Sequence, residues 1–150
     1  MKEIFIYSDG ACSGNPGKGG YGTILSYNGK KKELSGGFKK TTNNRMELMA
    51  VIVGFEALKE PCHVTLCCDS KYVLDALSKG WAVKWKSNSW MRNKKEKALN
   101  PDLWERLLNA AKPHEIEYVW VKGHAGHPEN ERCDDLATSA YNVENLNDDI

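Results

Sequence analysis

The sequence predicts an α/β fold built as a single domain, residues 1–150, and three observations carry the prediction. Short apolar runs rich in β-branched and aromatic residues alternate with longer segments whose apolar positions recur at i, i+3 and i+4, the signatures of strands and amphipathic helices. A chain of 150 residues, 41% hydrophobic and 27% charged, suits one globular core. No repeat, low-complexity tract or linker divides it.

The organising stretch is residues 4–22, IFIYSDGACSGNPGKGGYG. Ile4, Phe5, Ile6 and Tyr7 read as a buried strand, with Asp9 just past its end. Six glycines follow between Gly10 and Gly22, and glycine lets a backbone approach a ligand closely. A carboxylate at the tip of a core strand beside such a loop is placed for chemistry on a phosphate, although Asp-Gly is also a common turn signal. Gly17, Gly19 and Gly22 match G-x-G-x-x-G. That pattern must open a helix, and here residues 21–27 are strand-like and end in the hairpin signal Asn28-Gly29. A P-loop fails as well, since Lys18 precedes Gly19 rather than Ser or Thr.

Residues 21–27 and 30–38 form the arms of that hairpin, giving three consecutive antiparallel strands. Thr41, Thr42, Asn43 and Asn44 offer N-caps for a helix over residues 44–59, with Met46, Met49, Ala50, Val53 and Ala57 as its core stripe. Glu47 lies beside that stripe in the first turn, where a Glu commonly serves the helix dipole. Residues 63–68 form a strand that runs into Asp69 and a second helix. A strand after a crossover helix is most simply parallel to the first, which puts Asp9 and Asp69 at one sheet edge. Asp69 as a plain N-cap is the alternative. Asn100-Pro101 opens another helix with cap and N1 proline in place. A last strand over residues 115–121 carries Ile116, Tyr118 and Trp120 on one face. A glycine loop with His124 follows, then a final helix from Pro128 with Cys133, Leu136, Ala137, Ala140 and Tyr141 buried and Asp134 at the stripe's edge. The polar, acidic residues 142–150 are expected to fray.

No apolar segment resembles a signal peptide or reaches the ~20 residues of a membrane helix, and five cysteines without C-x-x-C spacing suit reduced thiols. A cytoplasmic location, no membrane association and a monomer are expected. Net charge is only +1, but residues 79–97 carry +6, leaving −5 for the remainder. In this basic segment, about residues 80–100, Trp81, Trp85 and Trp90 interleave with the lysines. Such asymmetry marks a surface for a polyanion.

Four carboxylates stand out: Asp9, Glu47, Asp69 and Asp134. Each lies at a strand end or beside a helix stripe that must face the sheet. Gathered like charges are costly unless a cation compensates them. Hard oxygen donors without His or Cys favour Mg²⁺, with Mn²⁺ a possible substitute, and two such ions can drive phosphodiester cleavage. His124 has the pKa range for relaying a proton, though a lone loop His is commonly mere surface.

The stretches SDGACSGNPGKGGYG, TTNNRMELMA, CDSKYV and WVKGHAGHPENERCDDLA resemble bacterial type 1 ribonuclease H, in order and over residues 4–141. The resemblance implies a five-stranded mixed sheet of order 3-2-1-4-5 flanked by helices, with a basic helical protrusion. It implies a metal-dependent endonuclease that cuts the RNA strand of RNA/DNA hybrids and leaves 5′-phosphate and 3′-hydroxyl ends. By motif position, Asp9, Glu47, Asp69 and Asp134 match the family's metal carboxylates, with Asp9 bridging two ions. His124 matches a histidine that assists proton transfer or product release. Asn15, Asn43, Asn44 and backbone near Cys12 match residues lining the hybrid's minor groove, and Thr42 with Asn15 resembles a pocket for a DNA-strand phosphate. Trp81, Lys84 and Lys86 fall in the protrusion. Lys71 stands where Gln is common, adding a phosphate contact or altering a base-edge contact, and Tyr118 stands where Trp is expected, a packing change. A non-catalytic hybrid-binding module is the alternative; it would keep the protrusion and lose a carboxylate, and all four are present.

Overall fold

Asn28 and Gly29 both take positive φ, 49° and 78°, so the Asn-Gly pair makes the tight turn its chemistry favours. It joins β2 (Gly17–Tyr27) to β3 (Lys30–Thr41). The other elements are β1 (Lys2–Cys12), α1 (Asn43–Glu56), β4 (Cys62–Cys68), α2 (Lys71–Ser78), α3 (Trp81–Ser87), α4 (Pro101–Ala111), β5 (Glu115–Trp120) and α5 (Pro128–Tyr141). The computed structural model describes residues 1–122 and 126–149. The sheet order is β3-β2-β1-β4-β5, as the resemblance implies. Strands β1, β2 and β3 are antiparallel, and β4 is parallel to β1 and to β5. Among the described residues no helix is long and apolar enough to cross a membrane.

Strand β1 is longer than its apolar run. Its parallel ladder with β4 ends at Ser8↔Cys68, while the antiparallel ladder with β2 continues through Asp9↔Gly22 to Cys12↔Gly19. Asp9 therefore lies inside a strand, one residue beyond the last parallel pair. The glycines expected to form a loop are largely strand residues of β2. A Cβ on Gly22 or Gly20 would run into the carbonyl oxygens of Cys133 and Ala137, so these positions admit α5 against the sheet.

Helix α1 has no single stripe. It is wedged between the sheet and α4, and its buried residues include Arg45, Glu47, Val51 and Phe55 as well as Met46, Met49 and Ala50. Val53 and Ala57, assigned to the stripe, are only half-buried. A helix covered on all sides loses the amphipathic period. On the opposite side of α4, Trp104 is fully buried and meets Tyr72 and Trp85 edge-on at 5.5 and 5.9 Å, which roots α3 in the main core. Beyond α3 the protrusion is turns rather than helix, tied by Ala98 N–H to the Trp90 carbonyl at 2.9 Å. Asn100 does not cap α4 with its side chain; its Oδ1 accepts instead from Arg45 Nη1 at 3.3 Å. Tyr118 is half-buried against the core, as a packing position should be.

The tail makes contacts that a frayed segment would not. Lys39 N–H donates to the Asn147 carbonyl at 2.9 Å, Leu146 is buried, and Asp149 Oδ2 accepts from Arg45 Nε at 2.8 Å.

Candidate active site

The site begins with a missing side chain. A Cβ on Gly10 would stand 2.5 Å from the Glu47 amide nitrogen and 2.6 Å from the Met46 carbonyl carbon. Glycine there lets the first turns of α1 lie directly on β1, which brings Glu47 to Asp9. Asp69 arrives from the end of β4. The cap of α2 is Ser70, whose Oγ accepts from Val73 N–H at 3.2 Å, so the Asp69 carboxylate is not spent on capping. Its backbone carbonyl is held by Trp120, whose indole N–H donates at 3.1 Å. Asp9, Glu47 and Asp69 each offer a carboxylate oxygen within 4.8 Å of the other two. Asp134, exposed on the second turn of α5, lies close enough that its carboxylate raises the pKa of Asp9.

Asn130 holds α5 in that position and escaped the sequence reading. It is 1% exposed, and its Nδ2 donates to the Cys67 carbonyl near the end of β4 at 3.2 Å. The signal was present: Asn130 lies three residues before Cys133, on the stripe already assigned to the core. A polar residue there needs a buried partner.

The cluster is electrostatically strained. Burial, then the charges of Asp69 and Asp134, push Asp9 up to about 8, against a modest opposing pull from the Gly10 N–H. Burial, then Asp9 and Asp69, hold Glu47 well above the usual carboxylate range. Glu47 is 6% exposed, and its Oε2 has no hydrogen-bond partner among the described residues. A largely buried, all-oxygen donor set with converging negative charge fits a hard divalent cation.

The other assigned residues divide into two places. Asn15 Oδ1 accepts from the Asn43 N–H at 3.2 Å, and Thr42 Oγ1 caps α1 by accepting from Arg45 N–H at 3.3 Å. Asn15, Thr42, Asn43 and half-buried Asn44 thus gather at the start of α1. Cys12 is beside them, its Sγ 3.5 Å from the Thr41 carbonyl oxygen. Lys71, two residues after Asp69, holds its Nζ 4.5 Å above the Trp120 ring. Trp81 is 42% exposed and lines a cavity of about 370 Å³ with Lys84, Trp85, Arg92, Tyr72 and Leu99. Lys86 is not brought to that cavity; its Nζ lies 3.8 Å from Glu105. His124 lies outside the described residues.

Comparison with known proteins agrees with this geometry. The RNase H family model matches residues 1–142. Ribonuclease H of Desulforamulus reducens is 64% identical over 150 residues, covering 100% of this chain and 94% of its own. Ribonuclease HI of Synechocystis is 56% identical over 98% of this chain and 93% of its own. Among solved structures, LC9-RNase H1, described as a type 1 RNase H with the type 2 active-site motif, superposes with a TM-score of 0.83 at 32% identity, over 94% of this chain and 72% of that one. LC11-RNase H1, solved in complex with an RNA/DNA hybrid, is 22% identical with a TM-score of 0.71, covers 92% of this chain and 96% of that one, and supports the fold alone. A match that runs through β1, α1, β4 and α5 takes in every element that contributes a carboxylate to the cluster, and the chain belongs to the ribonuclease H family.

Proposed function

We propose that this chain, a nuclease of the ribonuclease H family, hydrolyses the RNA strand of RNA/DNA hybrids with two Mg²⁺ ions, leaving 5′-phosphate and 3′-hydroxyl ends. The observation that carries the reading is the convergence of Asp9, Glu47 and Asp69 within 4.8 Å, with Asp9 pushed up to about 8 in the absence of a cation. Asp9, Glu47, Asp69 and Asp134 would hold the ions, which when bound activate water and stabilise the leaving oxygen; Mn²⁺ would substitute.

The chain's own residues supply binding and orientation. Asn15, Asn43, Asn44 and the backbone at Cys12 offer amides to the minor groove, where 2′-hydroxyls distinguish RNA without reading sequence. Thr42 with Asn15 takes a DNA-strand phosphate. Trp81 and Lys84 on the protrusion grip the backbone, so affinity falls steeply with salt. Lys71 adds a positive charge beside the cluster. His124, in the segment between β5 and α5, transfers a proton or aids product release. The enzyme works as a cytoplasmic monomer in this reading.

The test is cleavage of an end-labelled RNA/DNA hybrid in Mg²⁺, beside single-stranded RNA, duplex RNA and duplex DNA, for wild type and Asp9→Asn. Cutting confined to the hybrid's RNA strand and lost in Asp9→Asn is the expected result, a fall of at least ~10³-fold. A wild type that binds the hybrid and leaves it intact in both Mg²⁺ and Mn²⁺ would make the protein a binding module.

A further inference from the structure

Arg45 is a buried cation that the catalytic reading does not use. It sits one residue after Asn44 and two before Glu47, and it is 7% exposed. Its Nε and Nη2 donate to the two carboxylate oxygens of Asp149 at 2.8 and 3.1 Å. Its Nη1 and Nη2 donate to Asp102 at 3.0 and 2.8 Å, and Nη1 also reaches Asn100 Oδ1 at 3.3 Å. Two fork-to-fork pairs on one guanidinium fix direction as well as distance.

The three segments that meet there have separate tasks. Arg45 belongs to the start of α1, with the Thr42 cap and the asparagines assigned to the minor groove. Asn100 and Asp102 mark where the protrusion re-enters the body as α4. Asp149 belongs to the tail, and it is the buried partner: its side chain is 9% exposed, that of Asp102 63%. Thr41 Oγ1 donates to Asp149 Oδ2 at 2.5 Å, and the tail is seated by Leu146 and by the bridge between Phe38 and Asn147. None of these groups is a member of the carboxylate cluster.

We propose that the C-terminal segment is a working part of hybrid binding: Asp149, acting through Arg45, sets the spacing between the start of α1 and the root of the basic protrusion, so that both grip one duplex. The inference rests on the hybrid-cleaving reading above. Asp149 and Arg45 are positioning residues, since they act through Thr42, Asn43 and the protrusion. Removing Asp149 leaves Arg45 with one exposed carboxylate and frees the two gripping surfaces to shift against each other. The carboxylate cluster, fixed by the sheet, keeps its geometry.

The readout is dependence on substrate length. A hybrid long enough to touch both surfaces feels their spacing; one that reaches only α1 and the cluster does not. In the intact chain, Asp149→Ala raises KM about tenfold for long hybrids and less than about twofold for short ones, with kcat kept within about twofold. Asp149→Asn, which keeps an acceptor for Arg45, takes its place if the alanine variant does not fold. Leu146→Ala, which loosens the tail's seat without touching Arg45, shows the same length dependence in weaker form. A KM that rises equally at all lengths, a KM that does not move, or a fall in kcat alone overturns the proposal. Dissociation constants for the same hybrids measured without metal keep the two readings apart: absence of cleavage by wild type sinks the functional reading, and affinity losses that do not grow with length sink this one.

Discussion

The carboxylate cluster and the basic protrusion hold their charge in opposite ways. The cluster concentrates negative charge at the edge of the buried sheet. Asp9 and Glu47 are 2% and 6% exposed, the first in the sheet itself and the second on α1 packed against it. The protrusion spreads positive charge over a short helix and a run of turns, with Lys84, Arg92, Lys94 and Lys95 open to solvent or nearly so. Like charges held close in a low-dielectric site cost stability until a cation arrives. Exposed cations cost little, and each contributes little alone. The cluster should therefore fail abruptly when one atom is misplaced, and the protrusion should weaken by degrees.

The largest effect is expected where the cluster's geometry is set without any charged atom. Gly10→Ala puts a methyl 2.5 Å from a backbone nitrogen and 2.6 Å from a backbone carbon of α1. Backbone cannot rotate away as a side-chain tip can, so the start of α1 must move and Glu47 with it. A kcat lower by about 10²-fold is expected, with about 1–3 kcal/mol of stability lost and KM nearly unchanged. Steady-state kinetics and urea unfolding measure both. A wild-type kcat in a folded Gly10→Ala protein would show that the close approach of α1 does not position Glu47.

How far this could be read in advance differs by residue. The convergence of Asp9, Glu47 and Asp69 was legible because each follows an apolar strand run or sits in a first helical turn, which local patterns mark. The role of Gly20 and Gly22 was not, because what demands them is the backbone of α5, far away in sequence. Because α1 is covered on all sides, residues off the stripe read from the sequence are buried too, Arg45 among them. Its main partner lies 104 positions away, and nothing near Asp149 announces an ion pair. The docked tail was missed for that reason: its composition is that of a loose end, and its order comes from partners distant in sequence, Lys39, Thr41 and Arg45. His124 lies outside the described residues.

A middle-sized effect follows from the strain in the cluster. In the unfolded chain Asp9 ionises near its ordinary value of 3.8; in the folded, metal-free protein burial and its acidic neighbours hold the proton up to about 8. Between those limits the folded state binds more protons than the unfolded state, so stability falls as pH rises. Without metal, wild type should lose about 3–4 kcal/mol from about pH 5 to about pH 8, and Asp9→Asn should flatten that slope and be the more stable protein at the upper end. Mg²⁺ should reduce the difference. Urea unfolding across this range, with chelator and then with Mg²⁺, measures it. Parallel slopes for the two proteins would mean the carboxylates are not coupled.

The smallest effect separates two lysines of the protrusion. Lys84 and Lys86 are two positions apart on α3, about 200° around the helix axis. Lys84 faces the cavity shared with Trp81, Trp85 and Arg92. Lys86 turns to Glu105 and to the cleft lined by Leu77, Val83 and Leu108. An exposed ion pair of this kind contributes at most about 1 kcal/mol to stability, and a lysine already turned to a carboxylate has less charge to offer a phosphate. Lys84→Ala should raise KM about threefold and lower the slope of log affinity against log salt by about one. Lys86→Ala should change each by less than half as much. KM at several salt concentrations for both variants decides it. Equal effects would mean that α3 rotates on the duplex to present both sides, and the protrusion would then be an adaptable grip rather than a surface with one binding face.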